Sequence, residues 1–270
     1  MKQRLLVAAL GVPALLAVLL ACPPWATLLL VCAIAGIAAY ELLHTAEKDA
    51  PLSFYVLTVL TALLTEVTVF LGSERVRYTV WWAFLMLLFA VAVRRFGKEN
   101  AVPFSAVAVS TVGGIVFPML YTGVFLLRME GRAYALFPFV VAFIGDTFSM
   151  LAGMWFGKKS RKLAPFVSPK KTWVGGIAGP IGSALGLAAL GFVGGRFWGY
   201  EPNYLRLLAA GVLANIFGQL GDLSMSLIKR EAGIKDYSRL FLTHGGVLDR
   251  FDSTMFIAPV LYFFVSGGLL

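Results

Sequence analysis

Apolar residues run along this chain in blocks too long for the core of a water-soluble domain. Nine stretches stand out, approximately Leu5–Ala21, Trp25–Leu43, Phe54–Leu71, Tyr78–Val93, Phe104–Leu127, Ala133–Phe156, Trp173–Val193, Tyr204–Ile228 and Thr254–Leu269. A helix rising 1.5 Å per residue needs about 17 to 25 residues to cross roughly 30 Å of hydrocarbon. The pattern therefore predicts an all-α fold, a polytopic membrane bundle of about nine transmembrane helices. Composition agrees, since 59% of the 270 residues are hydrophobic and 14% are charged, against about 25% charged in soluble proteins. No soluble domain or low-complexity tract interrupts the pattern, and no internal repeat marks inverted transporter halves.

Lysine and arginine give the expected orientation. With the N-terminus inside, 17 of the 23 basic residues fall in inner segments and 6 in outer loops, as cytoplasmic retention of positive charge requires. An odd number of spans puts the C-terminus outside. The setting expected is a cell (inner) membrane, with the longest polar segments, Gly157–Thr172 and Lys229–Asp252, facing the cytoplasm. The net charge of +9 is by itself only this bias, and it implies no nucleic-acid partner. The opening residues, MKQRLLVAALGVPALLAVLLAC, have the form of a signal peptide; cleavage would spoil the charge count, so the expectation is a retained first span. Cys22 and Cys32 both lie in or beside apolar runs and suggest neither a disulfide framework nor a zinc site.

Polar residues inside the apolar runs divide the chain in two. Residues 1–130 carry few and read as N-terminal transmembrane helices; residues 131–270 carry most, and read as a catalytic transmembrane region around a cytoplasm-facing polar cavity. A carboxylate near the bilayer centre costs roughly 2.5 to 3.5 kcal/mol, so each needs a reason. Glu66 stands alone and reads as structural or protonated. Asp146 precedes Lys158 by twelve residues and Asp222 precedes Lys229 by seven, depths of roughly 18 and 10 Å below the basic rim. Ala214, Gly218, Asp222 and Ser226 recur every fourth residue on one helical face, where small residues favour close helix packing.

The stretch THGGVLDRFDS, Thr243 to Ser253, lies at the mouth of that cavity. Asp249 and Asp252 are oxygen donors of the kind magnesium takes, together with waters and substrate phosphates. Lys229, Arg230, Lys235 and Arg250 supply charge-assisted bonds to phosphate oxygens. Gly245 and Gly246 can present backbone N–H groups to an oxyanion. Acids for metal, bases for phosphate and glycines for close approach point to phosphoryl or nucleotidyl transfer. His244 is open on these grounds: it can bond a phosphate, act as acid or base, or pin the turn.

The run Ser226-x-x-Lys229-Arg230-x4-Lys235-Asp236, then His244-Gly245-Gly246-x-x-Asp249-Arg250-x-Asp252, closely resembles the signature of phosphatidate cytidylyltransferases, also called CDP-diacylglycerol synthases. A second stretch, VSPKKTWVGG at Val167–Gly176, is similar to that family's Ser-Pro-x-Lys-Thr-x-x-Gly motif, and Gly145-Asp146 falls where relatives carry an intramembrane aspartate. Leu242 stands where relatives usually have Pro or Gly, and Met225 where bacterial relatives often have an acid.

The resemblance implies transfer from CTP to phosphatidate, giving CDP-diacylglycerol and pyrophosphate, with Mg2+ as cofactor and the number of ions, one or two, left open. The catalytic set it implies is Asp222, Lys229, Arg230, His244, Asp249 and Arg250. Asp222 and Asp249 lead the metal ligands, with Asp252 and Asp146 supporting. Substrate contacts are expected from Ser226, Lys229, Arg230, Lys235, Gly245, Gly246 and Arg250, with Ser168, Lys170, Lys171 and Thr172 as a second phosphate-binding group. A symmetric homodimer is the base-rate expectation. The alternative is a transporter for a cation or anionic solute, which would need polar residues continuing to the outer face; the outer halves of the aspartate-bearing spans offer little beyond Asn215.

Overall fold

In the computed structural model, Ala9 and residues 11–198, 201–241 and 245–270 are described. They form nine helices: α1 Gly11–Ala21, α2 Pro24–Ala46, α3 Leu52–Phe70, α4 Glu74–Arg95, α5 Phe104–Glu130, α6 Phe137–Phe156, α7 Trp173–Trp198, α8 Tyr204–Glu231 and α9 Leu248–Ser266. Each coincides with one of the nine apolar stretches. Seven of them, α2 to α8, are long and apolar enough to cross a membrane. The other two differ for local reasons. Only the eleven residues from Gly11 onward are described for α1, and α9 opens on Asp249, Arg250 and Asp252, so its first turn serves the polar site.

Proline starts several of these helices. Pro24 occupies the first turn of α2, and Pro51 and Pro103 precede α3 and α5 with extended backbone, where a missing N–H costs no helical bond. Inside α5 the ladder widens to a π-helical turn at Val112–Val116.

Packing runs in a chain of neighbours: α4 against α3, α3 against α2, α2 against α5, α5 against α9, and α9 against α8, with α6, α7 and α8 closing the C-terminal side. At Gly123 of α5 a side chain would come within 2.8 Å of the Ala258 carbonyl carbon and 2.9 Å of Pro259 N. Only glycine lets the backbones of α5 and α9 meet this closely. The expected small face of α8 is present: Ala214, Gly218 and Ser226 are buried, and Gly218 abuts Ile257 of α9.

One element departs from the all-α expectation. The polar segment between α6 and α7 is a two-stranded antiparallel hairpin, β1 Lys162–Ala164 and β2 Ser168–Thr172. Its last residue caps the next helix, with Thr172 Oγ1 accepting from Gly175 N at 3.2 Å.

Glu66 is fully buried and accepts from Thr122 Oγ1 at 2.9 Å, a bond between α3 and α5 that fits the structural reading.

Candidate active site

The site forms where α6, α8 and α9 converge beside the hairpin and residues 232–241 and 245–247. Asp146 of α6, Asp222 of α8 and Asp252 of α9 lie within Coulomb reach of one another, with Lys171, Lys229 and Arg250 among them. Asp146 makes no hydrogen bond or ion pair among the described residues. Asp252 accepts at Oδ1 from its neighbour Ser253 N at 2.7 Å, and its Oδ2 carries no bond among the described residues. Asp222 accepts from Ser226 Oγ at 3.3 Å through Oδ1 and pairs through Oδ2 with Lys171 of the hairpin. The sequence grouping of Asp222 with Ser226 is thus a direct contact, and the VSPKKT stretch reaches the same carboxylate.

Asp249 has a different situation. Its side chain is 3% exposed and both oxygens are engaged. Lys229 Nζ donates to Oδ1 at 2.7 Å, while the backbone N–H groups of Tyr237 and Gly246 donate to Oδ2 at 2.8 and 2.9 Å. Lys229 also lies 5.4 Å above the centroid of the Tyr237 ring. Burial, with the Asp249 carboxylate beside it, holds the Tyr237 phenol above its ordinary range, so it remains a donor, to Met225 O at 3.0 Å. Asp249 and Lys229, both expected among the ligand-facing residues, pair with each other here and tie the loop to α8. Gly245, with φ of 81°, makes the turn that brings Gly246 N onto Asp249; the left-handed region it occupies is open to glycine at little cost.

The remaining predicted residues divide by exposure. Arg250, Lys235 and Lys170 are exposed and form no ion pair among the described residues, so their charge is free for an anion. Arg230 is spent on two carbonyls, Val167 O at 3.3 Å and Ile234 O at 2.9 Å, and so fastens the hairpin to the end of α8. Ser168 lies in β2 opposite Ala164. His244 and Leu242 lie outside the described residues. Met225 is buried.

One buried acid beside the site escaped the sequence reading. Glu41 of α2 is 3% exposed, yet it accepts from Ser238 Oγ at 2.6 Å, Val247 N at 3.1 Å and Leu248 N at 2.8 Å. It satisfies the otherwise unpaired N–H groups that start α9, the need that every helix N-terminus has. A residue of the N-terminal region thus braces an element of the C-terminal one. The visible signal was an acid inside YELLH, within an apolar run, with no lysine or arginine one turn away.

Beside these groups opens a cavity of about 570 Å³. Its floor carries Asp146, Asp249, Arg250 and Asp252, and its walls are apolar, from Val12, Leu15 and Val18 of α1 to Leu30, Ile34 and Ile37 of α2. A much smaller pocket on the other side of Asp146 is lined by Ser149, Lys171, Thr172 and Gln219. Toward the far end of the bundle, Gln219 donates to Asn215 Oδ1 at 2.7 Å and to Gly176 O at 2.9 Å. Past Asn215 a buried apolar layer follows, including Leu187, Leu207, Ala210, Ile257 and Leu261.

The sequence profile described as cytidylyltransferase family matches residues 2–267. The chain belongs to the cytidylyltransferase family. Among its curated relatives, a phosphatidate cytidylyltransferase of Staphylococcus haemolyticus (strain JCSC1435) is 38% identical over 180 residues, 66% of this chain and 65% of the relative. One of Staphylococcus aureus (strain COL) is 39% identical over 181 residues, again 66% and 65%. The match spans just under two thirds of the length of these relatives.

As a member of this family the chain is a natural place to ask whether magnesium fits. Among the described residues no three His, Cys, Asp or Glu side chains already form a metal cage. Magnesium does not need one, because it is commonly held by one or two carboxylates plus substrate phosphates and water. Asp146 and Asp252 each offer an unbonded oxygen, and Asp222 offers one on release of Lys171. These residues fit the ion; Asp249 would reach it only by giving up Lys229.

Proposed function

We propose that the chain transfers the cytidylyl group of CTP to phosphatidate, forming CDP-diacylglycerol and pyrophosphate. The observation that carries this reading is the 570 Å³ cavity, apolar along its walls and charged at its floor. Such a space matches a substrate that is half acyl chain and half phosphate. The family and the names of the relatives agree with it.

In the reaction an oxygen of the phosphatidate phosphate bonds to the α-phosphorus of CTP. The bond from that phosphorus to the bridging oxygen of the β-phosphate breaks, and pyrophosphate leaves with the electron pair. The nucleophile is already an anion, so no strong base is required. The barrier lies in bringing two anions together, and fixed charges lower it. Arg250, on the cavity floor, is placed to hold the phosphatidate phosphate. Lys170 and Lys171 of the hairpin would bind the triphosphate, Lys171 by leaving Asp222. One or two of Asp146, Asp222 and Asp252 would hold magnesium, which would supply positive charge against the phosphates. Lys229 and Asp249 keep the loop from spreading, which fixes Arg250 and Asp252 relative to the cavity.

The proposal includes a site at the cytoplasmic side, with the N-terminus inside. The 17 to 6 split of basic residues supports it. Transport is disfavoured because the apolar layer beyond Asn215 closes the polar path. Incubation of the purified protein with labelled CTP, phosphatidate and magnesium should yield a labelled lipid. No such product across several lipid phosphates and divalent ions would refute the reading.

A further inference from the structure

A second cavity, of about 330 Å³, lies apart from the site and shares no residue with it. It is lined by Ser53 from the first turn of α3, Val91, Arg94 and Arg95 from the last turns of α4, and Lys98 and Asn100 from the segment leading to α5. The volume falls at the lower end of the roughly 300 to 1,000 Å³ typical of ligand pockets. Three cations line it and no acid does. Among the described residues none of the three forms an ion pair, and the Ser53 hydroxyl is buried without a hydrogen-bond partner. A buried hydroxyl left unbonded is unfavourable, so it calls for a partner.

Basic residues at a helix end are common in membrane proteins and need no ligand. Here, however, the end of α4 and the stretch directly after it gather all three around one open crevice, and the unbonded hydroxyl of α3 belongs to its wall. Ser53, Arg94, Arg95, Lys98 and Asn100 together are rich in donors, which selects for an oxyanion. Their sequence neighbours Leu52, Val93 and Phe96 are highly exposed apolar side chains, as expected where a helix end meets lipid.

We propose that this crevice binds a phosphate group, carried by a phospholipid headgroup or as free phosphate, at a second site remote from the reacting groups. The test uses the full-length protein in detergent, stripped of lipid, with native mass spectrometry during titration by phosphatidylglycerol and, separately, by inorganic phosphate. The variant R94Q/R95Q/K98Q is compared with R75Q/R77Q/R132Q, which removes the same charge elsewhere. The first should retain phosphatidylglycerol at least about tenfold more weakly than the wild type, and the second should not. Displacement of the lipid by millimolar phosphate assigns the site to phosphate itself; persistence of the lipid assigns it to the headgroup. Equal retention by wild type and both variants, or equal loss in both variants, overturns the proposal. If the triple variant fails to fold, Ser53→Val and Arg95→Gln singly serve, and unchanged retention in both is likewise fatal. Turnover of labelled CTP at saturating phosphatidate should be unchanged in every crevice variant.

Discussion

Replacing Glu41 offers the sharpest test of how the N-terminal helices serve the site. Its carboxylate accepts bonds from Ser238 Oγ, Val247 N and Leu248 N at 2.6, 3.1 and 2.8 Å, all in a buried setting. Glu41→Ala strands two backbone N–H groups at about 1 to 3 kcal/mol each. It also removes a negative charge from the start of α9, worth about 0.3 to 2 kcal/mol against the helix dipole. The expected loss is roughly 3 to 6 kcal/mol of unfolding free energy after some relaxation. Glu41→Gln keeps the shape and one acceptor oxygen, so about 1 to 3 kcal/mol is expected. Activity should fall further than stability alone explains, because Arg250 and Asp252 lie on the first turns of α9, and a misplacement of about 1 Å can cost roughly a hundredfold in rate. Equilibrium unfolding in mixed micelles and labelled-CTP turnover on the same preparation measure both. The loss should appear in kcat more than in the KM for CTP, and Gln should recover most of the stability. If the Ala variant unfolds within about 1 kcal/mol of wild type and turns over normally, the bracing role is refuted.

Asp222→Asn should leave a stable, inactive protein, since the amide keeps the bond to Ser226 but is a poor magnesium ligand; thermal unfolding beside turnover decides, and retained activity would reduce Asp222 to packing. Asp249→Asn should abolish turnover and also destabilise the fold, because it leaves Lys229 buried without its partner, a loss of about 3 to 5 kcal/mol; an inactive variant of unchanged stability would instead favour direct metal ligation. Lys170→Ala should raise the KM for CTP several-fold with kcat largely kept, as neighbouring cations substitute for it. A topology reporter at Leu270 should read as outside and one at Lys159 as cytoplasmic; the reverse would overturn the orientation.

The helices were legible in the sequence because bilayer thickness imposes a length that no other solvent demands. The acids of the site were legible for a related reason: a carboxylate such as Asp222 inside an apolar run needs a partner, and Ser226 and Lys171 are there. What local pattern could not reveal was pairing across distance. Glu41 and Leu248 are far apart in the chain, and Glu41 lies close enough to a span end to pass for an interfacial residue. The internal contacts of the basic residues were hidden for a second reason. Lys229, Arg230 and Lys171 all carry charge suited to phosphate, but spacing does not say which charges are consumed inside the protein. Only the geometry separates Lys229, spent on Asp249, from Arg250, which is free. The hairpin was read as a polar connection because two strands of three and five residues have too little alternation to register.

The contacts that hold α9 have an implication for which parts of the site can move. The helix is fastened at its start by Glu41, near Phe251 by the hydroxyl of Tyr121 at 3.4 Å, and midway by backbone contact at Gly123 and Pro259. Asp252 and Arg250 therefore ride on a stator. The hairpin is held more lightly, by the exposed Arg230 donating to Val167 O at 3.3 Å and by one partly exposed ion pair, Lys171 with Asp222. When a triphosphate enters, the cheap adjustment is for Lys171 to exchange one anion for another while the helices stay still. Loading then resembles a shutter closing on a fixed aperture, with its speed set by how readily a surface ion pair trades partners.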